Sequence, residues 1–286
     1  MKAAVRDEPG GPGARPGARG VEVRRWPGDG RATDDRIAVE GAVALTYNQA
    51  PHVVMMATPA DLEDFALGFS LTEGIVAVPE ALREVRVLPR EDGIELAMRV
   101  DAETAARLAG ARRNLAGRTG CGLCGAETLA QAVRRPPPVG AGLVVTPDAL
   151  QRALKAMPAA QPLQAETGAV HAAAWCDREG EVRLLREDVG RHNALDKLIG
   201  ALARLGGPRE PGFVLVSSRA SYEMVYKAAA AGIELLAAVS APTTLAVDLA
   251  ERCGLTLVGF ARPGRHNVYT FPARIVGPPP GAAPAA

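Results

Sequence analysis

Between Val170 and Phe260 the chain alternates strand-type with helix-type runs, and no other feature narrows its possible folds as far. Val170–Cys176 and Val182–Glu187 read as strands turning at Asp177-Arg178-Glu179-Gly180. A helix follows, with Leu195, Leu198, Ile199 and Leu202 on one stripe at helical spacing. Phe213–Val216, Leu235–Val239 and Leu255–Phe260 are apolar, buried-type strands separated by helices at Tyr222–Ala231 and Thr244–Cys253. Such alternation predicts an α/β unit with a mostly parallel sheet covered on both faces. Ligands of these sheets gather where strands end and helices begin. Here those junctions are Ser217-Ser218-Arg219, Ser240-Ala241-Pro242-Thr243-Thr244 and the loop after Phe260.

Upstream the pattern differs. Ile37–Tyr47 and His52–Ala57 read as strands around Asn48-Gln49-Ala50-Pro51, and Asp61 opens a helix with Leu62, Phe65, Ala66 and Phe69 on one face. Arg83–Leu88 and Ile94–Val100 form a second strand pair turning at Asp92-Gly93, and Asp101–Leu115 reads as a helix. This is a smaller α+β unit. The expected division is a disordered Gly/Pro/Arg-rich tail over 1–33, an N-terminal α+β domain over 34–138, a C-terminal domain over 139–276 and a second disordered tail over 277–286. With 286 residues and 48% hydrophobic content, two cores are affordable.

A net charge of +1 and a 4% aromatic share argue against nucleic acid as a partner. No apolar run is long enough to span a membrane and no signal peptide opens the chain, so membrane partners are not expected. Four cysteines in a chain of this length are no disulfide scaffold, and a reduced cytoplasmic setting is expected.

Two of those cysteines form Gly120-Cys121-Gly122-Leu123-Cys124-Gly125. The glycines leave both sulfurs uncrowded, Arg112, Arg113 and Arg118 precede them, and Glu127–Val133 reads as a helix whose start would lie beside them. Both influences favour the thiolate, the reactive form. Three chemistries fit. Zinc would need two more ligands, and Cys176 and Cys253 are the remaining thiols. Cys176 shares a strand face with Val170, Ala172 and Ala174, opposite His171 and Trp175, while Cys253 continues the core stripe of Leu245 and Leu249. Disulfide exchange normally places C-x-x-C after a strand, whereas a helix precedes it here. A persulfide carrier needs an accessible, low-pKa thiolate on a flexible loop, and the glycines and arginines meet both demands.

Other ligand signals lie in the second unit. Arg191 and His192 in Glu187-Asp188-Val189-Gly190-Arg191-His192-Asn193 stand at a helix start that suits an anion, while Asp188 reads as a cap. Ser217-Ser218-Arg219-Ala220-Ser221 offers amides and hydroxyls between a strand and a helix. Phe260-Ala261-Arg262-Pro263-Gly264-Arg265 leaves the last strand with two guanidinium groups, shaped for phosphate or for stacking on a base.

Taken together, Cys121-Gly-Leu-Cys124-Gly, Thr167–Ala174, Glu187–Lys197, Glu223–Ala228, Ala238–Thr243 and Gly254–Phe260 resemble the formate dehydrogenase accessory sulfurtransferase family, FdhD or NarQ. The resemblance runs from Arg36 to Phe271. Ser217-Ser218-Arg219 stands where the family is expected to carry Ser-Gly-Arg. The resemblance implies a cytidine-deaminase-like, three-layer C-terminal domain. Zinc deaminases carry H-x-E and P-C-x-x-C at successive helix starts. Here those starts read His192-Asn193-Ala194 and Ser218-Arg219-Ala220-Ser221, without the glutamate or the cysteines, which would leave a cleft open to a nucleotide-like ligand. The resemblance further implies a sulfurtransferase with a persulfide on Cys121, assisted by Cys124. Sulfur would come from a cysteine desulfurase and pass to the molybdenum of a bis-molybdopterin guanine dinucleotide (bis-MGD), bound as substrate. The family's cofactor segment maps onto Phe260, Ala261, Arg262, Pro263, Gly264 and Arg265, with Arg219 and His192 beside it. The implied acceptor is the catalytic subunit of formate dehydrogenase, and the implied assembly a homodimer. A cofactor-binding chaperone stabilised by zinc, or working by thiol redox without sulfur transfer, is the alternative.

Overall fold

A computed structural model describes residues 17–27, 30–112 and 135–277 of the chain. Among these residues the strands form three sheets, in a mixed α/β fold. The first is a ribbon of β1 (Ala18–Arg24) and β2 (Ala32–Ala38), paired antiparallel. This corrects the expectation that residues 1–33 are a disordered tail, because β1 lies within that stretch. Its order comes from a partner strand, which local composition does not reveal.

The second sheet has the order β4-β3-β6-β5, built from β3 (Gly41–Tyr47), β4 (Ala50–Ala57), β5 (Glu84–Arg90) and β6 (Gly93–Arg99). Asn48 and Gln49, both at positive φ, make the β3–β4 turn, in the backbone region that two-residue hairpins favour. Val43, Leu45, Tyr47, Leu96 and Met98 project from one face onto Phe65 and Phe69 of α1 (Leu62–Thr72). Helix α2 (Ala102–Arg112) follows β6. The two cysteines of greatest interest, Cys121 and Cys124, lie outside the described residues.

The third sheet positions the site. Its order is β12-β11-β10-β9-β7-β8. The strands are β7 (His171–Asp177), β8 (Val182–Asp188), β9 (Gly212–Val216), β10 (Leu235–Ala238), β11 (Thr256–Arg262) and β12 (Arg265–Val268). Only the β9–β10 and β10–β11 pairings are parallel; β7–β8, β7–β9 and β11–β12 are antiparallel. The expected mostly parallel sheet is therefore corrected. A tight turn can join only antiparallel neighbours, and two such hairpins occupy the ends of this sheet. Helix α3 (Pro147–Ala156) packs on one face through Leu150 and Ala153 against Ala172, Ala174, Cys176 and Phe213. A short helix α4 (Pro162–Thr167) precedes β7. On the other face lie α5 (Arg191–Arg204), α6 (Tyr222–Ala230) and α7 (Thr244–Cys253), through Leu195, Leu198, Met224 and Leu249 against Trp175, Val214 and Leu257.

The two larger sheets are joined through their helices. Helices α1 and α5 cross with Gly68 against the Asp196 backbone and Gly200 against the Asp64 backbone, leaving no space for a Cβ at either position. Around the crossing, Asp196 accepts from Thr72 and Lys227, and Asp64 accepts from Arg186 and Arg204.

Candidate functional site

Because β7 runs against β9, its amino end lies with the carboxyl ends of β8, β9, β10 and β11 at one edge of the sheet. Helices α5, α6 and α7 all start at that edge, so their unpaired amides and positive dipole ends converge there.

The turn from β8 into α5 is held from below by buried charge. Asp188, fully buried, accepts from the amides of Thr58 and Gly190, from Asn193 Nδ2 and from Lys197 Nζ at 2.6 Å. Lys197 is itself fully buried and also donates to the Thr58 carbonyl. A lysine so placed survives because its ammonium has acceptors on every side. Asp188 is thus a hub joining both larger sheets rather than the simple helix cap expected; the residue before α5 is Gly190. Glu187 instead accepts from the first amides of α4, Leu163 and Gln164. What the motif leaves facing the edge is Arg191 and His192.

The loops across the edge are stitched together. Ser217 accepts from the Ala172 amide and donates its own amide to the Ala172 carbonyl, bringing β9's end to His171. The Ser240 amide donates to Ser218, and the Phe260 amide donates to Ser240. Phe260 has a φ of +49°, at a bulge in the β11–β12 pairing between Gly259 and Arg262. Bulges re-aim side chains, and the Phe260 ring stands 36% exposed.

His192 Nε2 lies 2.8 Å from Glu223 Oε2 on α6. Burial alone would raise the Glu223 carboxyl, but His192, Lys227 and Arg191 outweigh it and hold it below the ordinary glutamate value. Burial, then Arg191 and His192, push the half-buried His171 imidazole below the ordinary histidine value, favouring its neutral form. Arg191 Nε and Ser221 Oγ are buried with no hydrogen-bond partner among the described residues.

Of the expected site residues, His192, Arg219 and Phe260 come to this one edge, on the α5 start, the β9–α6 loop and the end of β11. Ala261 turns into the core on the α3 side. Arg262 and Arg265 pair across the β11–β12 hairpin, whose Gly264 tip rests on Gln151 of α3. The segment Phe260–Arg265 is therefore a strand end and hairpin rather than a loop. Sequence reasoning passed over Glu223, although it stood within a quoted motif, and considered His171 only in connection with zinc. The signal was the missing glutamate at Ala194: a carboxylate reaches His192 from the neighbouring helix instead.

The remaining thiols offer little chemistry. Burial pushes Cys176 up to about 12 and also raises Cys253. They pack on opposite faces of the sheet, so they cannot share one metal. An apolar cavity of about 600 Å³, lined by Trp175, Ile199, Leu202 and Ile233, lies at the opposite edge.

The family model described as the FdhD/NarQ family matches residues 38–276. A sulfur carrier protein FdhD from Xanthomonas campestris pv. campestris (strain B100) is 56% identical over 262 residues, 91% of this chain and 93% of the relative. Another of that name from Cupriavidus necator is 54% identical over 88% of each chain. A crystal structure named for a formate dehydrogenase accessory protein of Desulfotalea psychrophila superposes with a TM-score of 0.70 at 27% identity, covering 91% of this chain and 98% of the other.

Proposed function

The chain belongs to the FdhD/NarQ family, and from that premise we propose that it is a sulfur carrier serving formate dehydrogenase maturation, working as a sulfurtransferase. The observation that carries this reading is the 56% identity over nearly the whole chain to a protein named as a sulfur carrier. Cys121 is the carrier. Its thiolate attacks the outer sulfur of a persulfide on a cysteine desulfurase, the donor's S–S bond breaks, the donor cysteine leaves as a thiolate, and the sulfur remains on Cys121. Cys124 assists release: its thiolate attacks Cys121 Sγ, a Cys121–Cys124 disulfide forms and hydrosulfide departs. A dithiol reductant then restores the pair. The sulfur is destined for the molybdenum of bis-MGD, bound as substrate and then passed to the catalytic subunit of formate dehydrogenase. A homodimer in the cytoplasm is the working form; no described helix is long and apolar enough to cross a membrane.

The cofactor's guanine nucleotide end is held at the strand-end edge by Phe260–Arg265, Arg219 and His192. Converging helix starts and an exposed aromatic ring support this. We read the six-stranded sheet as a cytidine-deaminase-like scaffold in which His192, Ser218 and Ser221 take the zinc-ligand places; the helix starts of α5 and α6 meeting at one edge favour it.

Incubation with a cysteine desulfurase and cysteine should add one sulfur to the peptide holding Cys121, read by mass spectrometry, with none on Cys176 or Cys253. Cys121→Ala should abolish formate dehydrogenase maturation. An unmodified peptide, or maturation that survives Cys121→Ala, would leave the cofactor-chaperone alternative.

A further inference from the structure

We infer that Glu223 is the positioning residue for His192: reaching from the first turn of α6, it fixes the imidazole at the strand-end edge and decides which ring nitrogen is left for a ligand. His192 Nε2 and Glu223 Oε2 stand 2.8 Å apart, and their side chains are only 20% and 19% exposed. At that burial water competes poorly for either group, so the contact holds both. His192 is the second residue of α5 and Glu223 the second of α6, so the pair also ties together the starts of two helices.

A carboxylate at Nε2 sets the state of the ring. Nε2 carries the proton that it donates, and Nδ1 becomes the atom presented elsewhere. Without that partner the ring is free to turn about its second side-chain torsion and exchange the places of its two nitrogens.

Glu223 is itself held in place. Burial would raise its carboxyl, but His192, Lys227 and Arg191 together keep it ionised. Lys227, one turn further along α6, cannot swing away, because its ammonium donates to Asp196, Glu73 and Thr72. A run of interacting groups, Asp196, Lys227, Glu223 and His192, thus leads from the crossing of α1 and α5 to the edge of the third sheet.

This role deepens the nucleotide reading above and rests on it only for what the held ring then contacts. A carboxylate that worked alone at this edge would repel the phosphates of a nucleotide. Acting through the ring, the same carboxylate has a use there.

The test separates reach from charge. Glu223→Asp keeps the charge but withdraws the carboxylate by one methylene, whereas Glu223→Gln keeps the reach without the charge. Aspartate also suits the first turn of a helix, so that variant keeps the start of α6 intact. Carbon–proton signals of the four histidine rings are recorded on the full chain labelled at histidine, with His192 assigned by its loss in His192→Ala. Glu223→Asp should move the His192 signal toward that of a solvent-exposed histidine. It should also weaken binding of GDP, the probe for the nucleotide end, by about threefold to tenfold. Glu223→Gln should keep the signal of a held ring, with GDP affinity within about threefold of wild type. In a His192→Ala background, Glu223→Asp should change GDP affinity by less than about twofold, because its effect runs through the ring. An unmoved His192 signal in Glu223→Asp overturns the inference, as does a full further loss of GDP affinity in the His192→Ala background. A ring released by Glu223→Gln yet held by Glu223→Asp would make charge decisive and overturns it too. A ring released by Glu223→Asp, with GDP affinity unchanged there and in His192→Ala, keeps Glu223 as the holder of the ring and sinks the part of His192 in the nucleotide reading instead.

Discussion

Glu187, Asp188, Asp196 and Lys197 belong to one unbroken stretch of sequence, yet each serves a different part of the molecule. Glu187 caps α4, Asp188 and Lys197 neutralise each other in the interior, and Asp196 faces α1 and α6. Arg191 and His192, between them, stand at the start of α5. Charge type was legible in the sequence; the long-range partners were not, because Thr58, Thr72, Leu163, Gln164 and Lys227 come from distant segments. Glu223 shows what this does to pH dependence. Its native pKa lies below its ordinary value of 4.5, so its contribution to stability is complete above that value and is lost as pH falls through the lower native one. Glu223→Gln should therefore lower the denaturation midpoint at pH 7, and the gap to wild type should close as the pH drops below the ordinary glutamate range. A gap of constant size down to pH 3 would assign the effect to packing instead.

At the scale of elements, the apolar stripes of α1 and α5 were readable from spacing, and both helices form where expected. Their mutual approach was not, since it depends on Gly68 and Gly200 meeting the opposite backbone. Either glycine replaced by alanine forces the helices apart. Gly200→Ala should cost about 3 kcal/mol or more, beyond the ordinary overpacking penalty because the obstacle is backbone that cannot rotate away. Gly110→Ala is the control: it lies in α2 with open space around it, and should be neutral or stabilise by about 0.5–1 kcal/mol. Urea denaturation of the two variants checks both signs. Strand β1 escaped notice for the same physical reason as the glycine contact. Its pairing partner β2 lies across a turn whose Gly/Pro/Arg composition resembles a tail.

At the scale of the molecule, buried charge couples the two larger sheets. Lys227 on α6 lies 2.9 Å from both Asp196 on α5 and Glu73 at the end of α1. Burial by itself would lower the Lys227 ammonium, but the two carboxylates outweigh it and raise it above the ordinary lysine value. Lys227→Met removes that ammonium and strands a buried Asp196, which should cost about 3–5 kcal/mol, while Asp196→Leu in the same chain should recover much of the loss. Chemical denaturation followed at Trp175 and by circular dichroism should give one coincident transition in the wild type, because neither sheet buries its charges without the other. Additive losses in the double variant would show that the two charges act separately.

The sequence by itself determined most of the helices and strands of the second half, the mixed α/β character, the burial of Cys253, and the family. These rest on spacing, residue type and ordered motifs, all local to the chain. Only the tertiary structure decided that β7 and β12 run antiparallel, that Asp188 and Lys197 are interior supports, and that Glu223 from the next helix stands beside His192. Those outcomes depend on which distant segments meet. Spacing along one strand or helix sets the face of a side chain, while its partner is set by the packing of the whole.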